Sequence, residues 1–177
     1  MEYIQTDIPE VWLLASVPYE DDRGTFVRVY SEEFFEGPFD FHLEQVNVSK
    51  TNRLGSIRGM HMQLTPYQEK KIVRCLSGSI FDVAIDMRPE SSTYLKYVSQ
   101  ELSALNNFAL VIPEGFAHGF QTLEDNSIVH YTTSQKYSQE HERGIRYNDP
   151  DIDIDWPIEV TLVSEKDKNW PLLRSGD

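Results

Sequence analysis

The sequence is poor in three things: thiols, positive charge and long apolar runs. Cys75 is the single cysteine in 177 residues, which excludes an intramolecular disulfide and any Cys-rich zinc site. A reducing compartment fits that count. Lys and Arg number 16 against 29 Asp and Glu, for a net charge of −13. Such a balance argues against nucleic acid and against an anionic membrane surface as partners, because both are held by an excess of positive charge. A small anionic ligand needs only a local basic cluster and stays open. The longest apolar stretch, 11–17, falls far short of the roughly 18 residues of a membrane span. The opening Met-Glu-Tyr-Ile-Gln-Thr-Asp has neither the basic nor the apolar part of a secretion signal. A cytoplasmic protein is expected, so Asn47-Val48-Ser49 is not read as a glycosylation acceptor. No phosphate-binding Walker loop, dinucleotide fingerprint, serine nucleophile elbow or zinc-protease helix occurs.

Helical periodicity is also scarce; one short turn is expected over 31–36, with Ser31 as its cap. What the chain does contain is 40% hydrophobic residues, enough for a sizeable core and too many for intrinsic disorder. Short period-2 segments recur between turn residues. Phe41, Leu43, Gln45, Asn47 and Ser49 alternate along one face. Phe81, Val83, Ile85 and Met87 make an apolar stripe, with Asp82, Ala84, Asp86 and Arg88 opposite. Asp21-Asp22-Arg23-Gly24, Leu76-Ser77-Gly78-Ser79 and Pro113-Glu114-Gly115 punctuate the strands. Many short strands at this length predict an all-β jelly roll forming a single domain over 1–177. The tail differs: Trp156-Pro157 and Trp170-Pro171 force extended tryptophans, which are expected to pack on the body. The acidic run 149–155 reads as a solvated face.

Chemistry concentrates in Arg58-Gly59-Met60-His61-Met62-Gln63, in Gln68-Glu69-Lys70-Lys71, and in the segment from Pro113 to Phe120 that carries His118. Pro-x-Gly-x-x-His after an earlier strand histidine resembles the cupin pattern, in which two histidines at His-x-His spacing, a later Glu and the histidine of the second element commonly hold a metal. Gln63 stands where the second imidazole would be, so a metal set here would be weak. A neutral imidazole at His61 suits a general base near pH 7, yet a lone strand histidine is often only structural. Gly59 leaves room for a close approach. In a regular strand Arg58 points away from His61, so bringing both to one site needs a bulge at Gly59. Spacing alone does not choose the carboxylate that orients His61. A buried Lys could stabilise an enolate, and Tyr131, Tyr137 or Tyr147 could donate a proton.

The chain resembles the dTDP-4-dehydrorhamnose 3,5-epimerase family over nearly its whole length. The resemblance is carried by Asp22-Arg23-Gly24, by 45–49, by Ile57-Arg58-Gly59-Met60-His61 and by 81–88. It continues through 112–120, Asn148-Asp149-Pro150, Ile154-Asp155-Trp156-Pro157 and Ser164-Glu165-Lys166-Asp167. It implies a cupin-type jelly-roll barrel and a homodimer with one active site per barrel. It implies that His61 is the base, Asp167 its orienting carboxylate, Tyr131 the proton donor from the opposite face and Lys71 the group at the enolate oxygen. Ligand contacts would come from Arg23, Gln45, Asn47, Arg58, His118, Glu142 and Lys166. The implied substrate is a nucleoside-diphosphate-linked 4-keto-6-deoxy sugar, inverted at C3, C5 or both, and the chemistry calls for neither metal nor redox cofactor. The chain departs from the family at Arg28, where Glu is usual, and at Val46, Met62 and Thr132. Alternatives left open are a C3-only epimerase acting on a CDP-linked sugar, a 3,4-ketoisomerase, a metal-dependent cupin and a non-catalytic sugar-nucleotide binder.

Overall fold

The computed structural model describes residues 1–31 and 38–175. The turn expected over 31–36 therefore lies, past Ser31, outside the described residues. Strands dominate: β1 (Glu2–Gln5), β2 (Trp12–Ala15), β3 (Tyr19–Asp21), β4 (Gly24–Phe26), β5 (Gln45–Thr51), β6 (Ser56–Gln63), β7 (Lys71–Ser77) and β8 (Ser79–Asp86). They continue with β9 (Tyr97–Ser103), β10 (Phe108–Ile112), β11 (Phe116–Thr122), β12 (Ser127–Thr133), β13 (Glu142–Gly144) and β14 (Leu162–Val163). A single helical turn, α1 (Glu165–Lys168), and a tighter turn at Leu173–Ser175 complete the described elements.

Two sheets form from these strands. The first runs β1-β2-β10-β7-β12-β5, and the second runs β13-β6-β11-β8-β9 with β14 parallel to β6. From β5 to β8 successive strands alternate between the sheets, and the chain crosses over at Gly78 between β7 and β8. This weave gives the cupin-like all-β architecture expected of the sequence. The β3–β4 hairpin stands apart from both sheets.

Alternation along each strand builds three apolar layers. Between the sheets lie Leu13, Val73, Cys75, Leu110 and Val129 from the first and Ile80, Ala84, Leu102, Phe116 and Phe120 from the second. Outside the first sheet, Leu14, Ile72, Ala109 and Val111 pack with Phe41. Outside the second, Val83, Ile85 and Ala117 pack with Met60 and with Ile145, Ile152 and Ile154 of the tail. The apolar stripe of β8 thus faces outward, and the inward side is the one that carries Asp82. The tail covers that stripe. Trp156 lies edge-on to Phe81 at 6.0 Å and donates its indole N–H to the carbonyl of Tyr147 at 2.9 Å.

The acidic run is not simply a solvated face. Asp149 is buried and accepts the backbone N–H groups of Asp151 at 2.9 Å and Leu173 at 2.7 Å. Alternating acidic and apolar residues here let Ile152 and Ile154 reach the core while Asp149 ties the turn. The expected face shared by Phe41, Leu43, Gln45, Asn47 and Ser49 holds only from Gln45 onward, because β5 begins there. Replacing Trp156 with Ala removes the ring that pins the tail; the expected loss is about 3 kcal/mol of unfolding free energy, read from urea denaturation.

Candidate active site

A cavity of about 520 Å³ opens between the sheets. Its making depends on an irregularity in β6. Across β11, His118 pairs with His61 and Phe120 pairs with Arg58, so two β6 residues stand opposite one β11 residue. That is the bulge which co-location of Arg58 and His61 requires. Gly59 sits in it at φ +125°, and a Cβ there would lie 2.5 Å from the Cα of Gly119. Only glycine combines that backbone conformation with that approach. Both Arg58 and His61 consequently line the cavity.

The carboxylate that meets His61 comes from the tail. Ser164 caps α1 by accepting the Asp167 N–H at 3.1 Å, and this turn presents Asp167 to β6. His61 Nε2 lies 2.6 Å from Asp167 Oδ1, and Gly59 donates its N–H to Oδ2 at 3.4 Å. Asp167 is only 5% exposed and His61 30%. Burial works to raise the Asp167 carboxyl, but the hydrogen bond and charge of His61 outweigh it and hold it below the ordinary value. With Nε2 donating to the carboxylate, Nδ1 is the ring nitrogen left to take a proton; it has no hydrogen bond among the described residues. Trp170 backs the imidazole edge-on at 6.2 Å. Gly144, paired with His61 across β13, makes room for that indole.

The opposite wall belongs to the first sheet. Lys71 and Tyr131, from β7 and β12, line the cavity there, with Ser49 and Thr51 from β5. Lys71 Nζ pairs with Glu69 Oε1 at 3.1 Å. Burial, then the charge of Glu69, raises the Tyr131 phenol, and Arg58 acts against them. A second imidazole–carboxylate pair, His118 Nε2 to Asp82 Oδ1 at 2.8 Å, stands beside the first. At the rim Lys166 reaches Glu142 Oε2 at 2.6 Å, which also accepts the Tyr137 hydroxyl at 2.8 Å. Burial works to raise the Glu142 carboxyl; the bonds from Lys166 and Tyr137 lower it by more. Arg58 differs from these cations. It donates to Thr51 Oγ1 at 2.8 Å and to the carbonyl of Lys50 at 3.3 Å, with no carboxylate partner among the described residues.

The cavity gathers His61, Asp167, Tyr131, Lys71, Arg58, His118 and Lys166. Glu142 stands behind Lys166. Asn47 shares the inner face of β5 with Ser49 and pairs across from Tyr131, outside the cavity lining. Gln45 accepts the Tyr137 N–H at 2.8 Å and braces the loop. Arg23 is not brought in: it lies on the β3–β4 hairpin, 88% exposed, bonded to Asp21 at 2.6 Å. Gln63 is no ligand in waiting, since its amide donates to the carbonyls of Tyr67 and Lys136 and accepts the Ser138 N–H. Sequence reasoning gave no site role to Asp82, Glu69, Thr51 or Trp170. Asp82 had a signal, an acid set between the apolar Ile80-Phe81 and Val83-Ala84-Ile85 of one strand. The departures Val46, Met62 and Thr132 neighbour Asn47, His61 and Tyr131 along their strands and point to the outer faces. They leave the cavity wall unchanged, and Arg28 is not part of that wall either.

The model of the dTDP-4-dehydrorhamnose 3,5-epimerase family matches residues 5–175. The chain belongs to the dTDP-4-dehydrorhamnose 3,5-epimerase family. A curated relative of that name from Sinorhizobium fredii is 43% identical over 175 residues, covering 98% of this chain and 90% of its own. The Bacillus anthracis epimerase, solved with TDP and pyrophosphate, superposes with a TM-score of 0.94 at 36% identity, covering 97% of this chain and 99% of its own. The Legionella pneumophila epimerase, in complex with dTDP-4-keto-L-rhamnose, also gives 0.94, at 34% identity and 99% and 94% coverage. As a member of this epimerase family the chain is an enzyme of the isomerase class.

Two outcomes test the geometry. Gly59→Ala is expected to cost more than about 2 kcal/mol of stability in denaturant titration, because the added methyl meets backbone. Asp167→Asn removes a carboxyl whose folded pKa is depressed, so the unfolded chain takes up that proton first as pH falls. The stability gap to wild type should be full above the ordinary value of 3.8 and close as pH drops below it, measured by thermal unfolding across pH.

Proposed function

We propose that the protein inverts carbons beside the ketone of a nucleoside-diphosphate-linked 4-keto-6-deoxyhexose, with dTDP as the carrier. The observation that carries this reading is the opposition of His61 and Tyr131 on facing sheets across one cavity. A ketone at C4 acidifies C3–H and C5–H, since the carbanion delocalises onto O4 as an enolate. His61 Nδ1 takes the proton from one face, and Asp167 balances the imidazolium that forms. Lys71 meets the negative charge developing at O4. Tyr131 returns a proton to the same carbon from the other face, which inverts it. Arg58, having no carboxylate of its own, is the cation available to the diphosphate. His118, Asn47 and Gln45 serve as contacts along the sugar and nucleotide, with Lys166 and Glu142 at the rim.

The nucleotide assignment is supported by the TDP and dTDP-4-keto-L-rhamnose bound to the Bacillus and Legionella relatives. A single-domain homodimer in the cytoplasm belongs to the same reading. Its support is apolar surface left open on one copy: Val46 and Val48 on the outer face of edge strand β5, and Tyr19 and Phe26 on the hairpin that carries Arg23. A hairpin that misses its own cavity is free to reach the rim of a partner's.

Proton NMR in D₂O with dTDP-4-keto-6-deoxyglucose tests the proposal. Deuterium is expected at both C3 and C5; incorporation at C3 alone would make the protein a single-centre epimerase. His61→Ala should slow exchange by at least about 100-fold with nucleotide affinity kept. Tyr131→Phe should impair inversion more than the first proton loss, and equal slowing of both would make Tyr131 a positioning group.

A further inference from the structure

The wall opposite His61 has a backing that the proton chemistry above does not use. Glu69 lies two residues before β7, with its side chain 11% exposed, and it does not line the cavity. Its Oε1 is 3.1 Å from Lys71 Nζ. Across the β12–β7 pair, Thr133 stands opposite Lys71 and Tyr131 opposite Val73. Lys71 and Tyr131 therefore project from neighbouring strands into the same cavity, one step apart along the sheet. A single carboxylate pairs directly with Lys71 and acts on Tyr131 through its charge.

Resting on the epimerase reading, we infer that Glu69 is the positioning residue of the proton-returning wall. It aims the Lys71 ammonium at the ketone oxygen and places a fixed negative charge on the side of the cavity from which Tyr131 projects. An ammonium taken out of water needs a partner to offset lost hydration. Glu69 supplies it from outside the substrate space, taking one N–H and leaving the others for the developing enolate. A phenolate at Tyr131 would meet like charge from Glu69 as well as the cost of burial, while Arg58 opposes both. The other charged or titratable groups around the same cavity are Lys71 on β7, His61 on β6, His118 on β11, and Lys166 and Asp167 on α1. An amide at position 69 would keep the shape and lose the charge.

Two measurements on Glu69→Gln decide the matter. The first needs no substrate: ultraviolet titration of tyrosinate, with Tyr131→Phe marking the step that belongs to Tyr131. The step is expected to move down by about one pH unit, and a step that stays where it is would overturn the inference. The second is turnover with dTDP-4-keto-6-deoxyglucose. kcat should fall about tenfold with its alkaline limb shifted to lower pH, and KM should hold, because Glu69 touches no ligand. A raised KM with kcat and its pH profile intact would overturn it. Glu69→Asp keeps the charge and shortens the reach, so it should leave the Tyr131 step near wild type while lowering kcat; if it moved the step as far as Gln does, the role of charge would be refuted. Wild-type protein that exchanges no deuterium would sink the epimerase reading, and the tyrosinate titration would still decide for or against Glu69.

Discussion

The hydrogen bond between His61 Nε2 and Asp167 Oδ1 joins residues 106 apart in the chain, and most of the structure serves it. His61 faces the cavity together with Arg58 only because β6 bulges at Gly59. Asp167 arrives only because the tail crosses the outside of the second sheet, buried at Ile152 and Ile154 and half-buried at Trp156, and ends in a turn capped by Ser164. Trp170 then closes the back of the imidazole in space that Gly144 leaves empty. The apolar layer outside the second sheet thus holds the His61–Asp167 pair in place, although none of its aliphatic side chains from the tail lines the cavity.

Charge around the cavity is arranged in local pairs. His61 has Asp167, His118 has Asp82, Lys71 has Glu69 and Lys166 has Glu142. A surface of −13 overall would repel a diphosphate at long range, and salt shortens that reach to about 8 Å. Inside, Glu69 and Glu142 cancel the lysines they hold, the two imidazoles carry charge only when protonated, and Arg58 remains as the unpaired cation among the described residues. Ligand attraction then rests on position more than on net charge.

The sequence made the strands legible wherever alternation met a turn, as at β5, β8 and the Gly78 crossing. It also pointed to the Gly59 bulge, because Arg58 and His61 cannot share a face without one. It was silent on which side of β8 is inward, since a stripe of Phe81, Val83 and Ile85 fits a core on either side. Only the tail's own isoleucines decide that, and they are hidden in an acidic run. The long-range partners were legible through the resemblance and not through spacing: nothing local links position 61 to 167. Arg23 is the reverse case, where a familiar motif sits on a hairpin outside the cavity of its own copy. Gln63 looked like a substituted ligand and is a brace for two loops.

The late position of Asp167 has a consequence for a chain emerging from the ribosome. The strands up to Thr133 supply His61, Lys71 and Tyr131 to the cavity, whereas the carboxylate comes from α1, late in the tail. Until the tail is synthesised and docked, the imidazole lacks the anion that orients it. A chain whose tail is undocked thus has the cavity but not the pairing of His61 with Asp167.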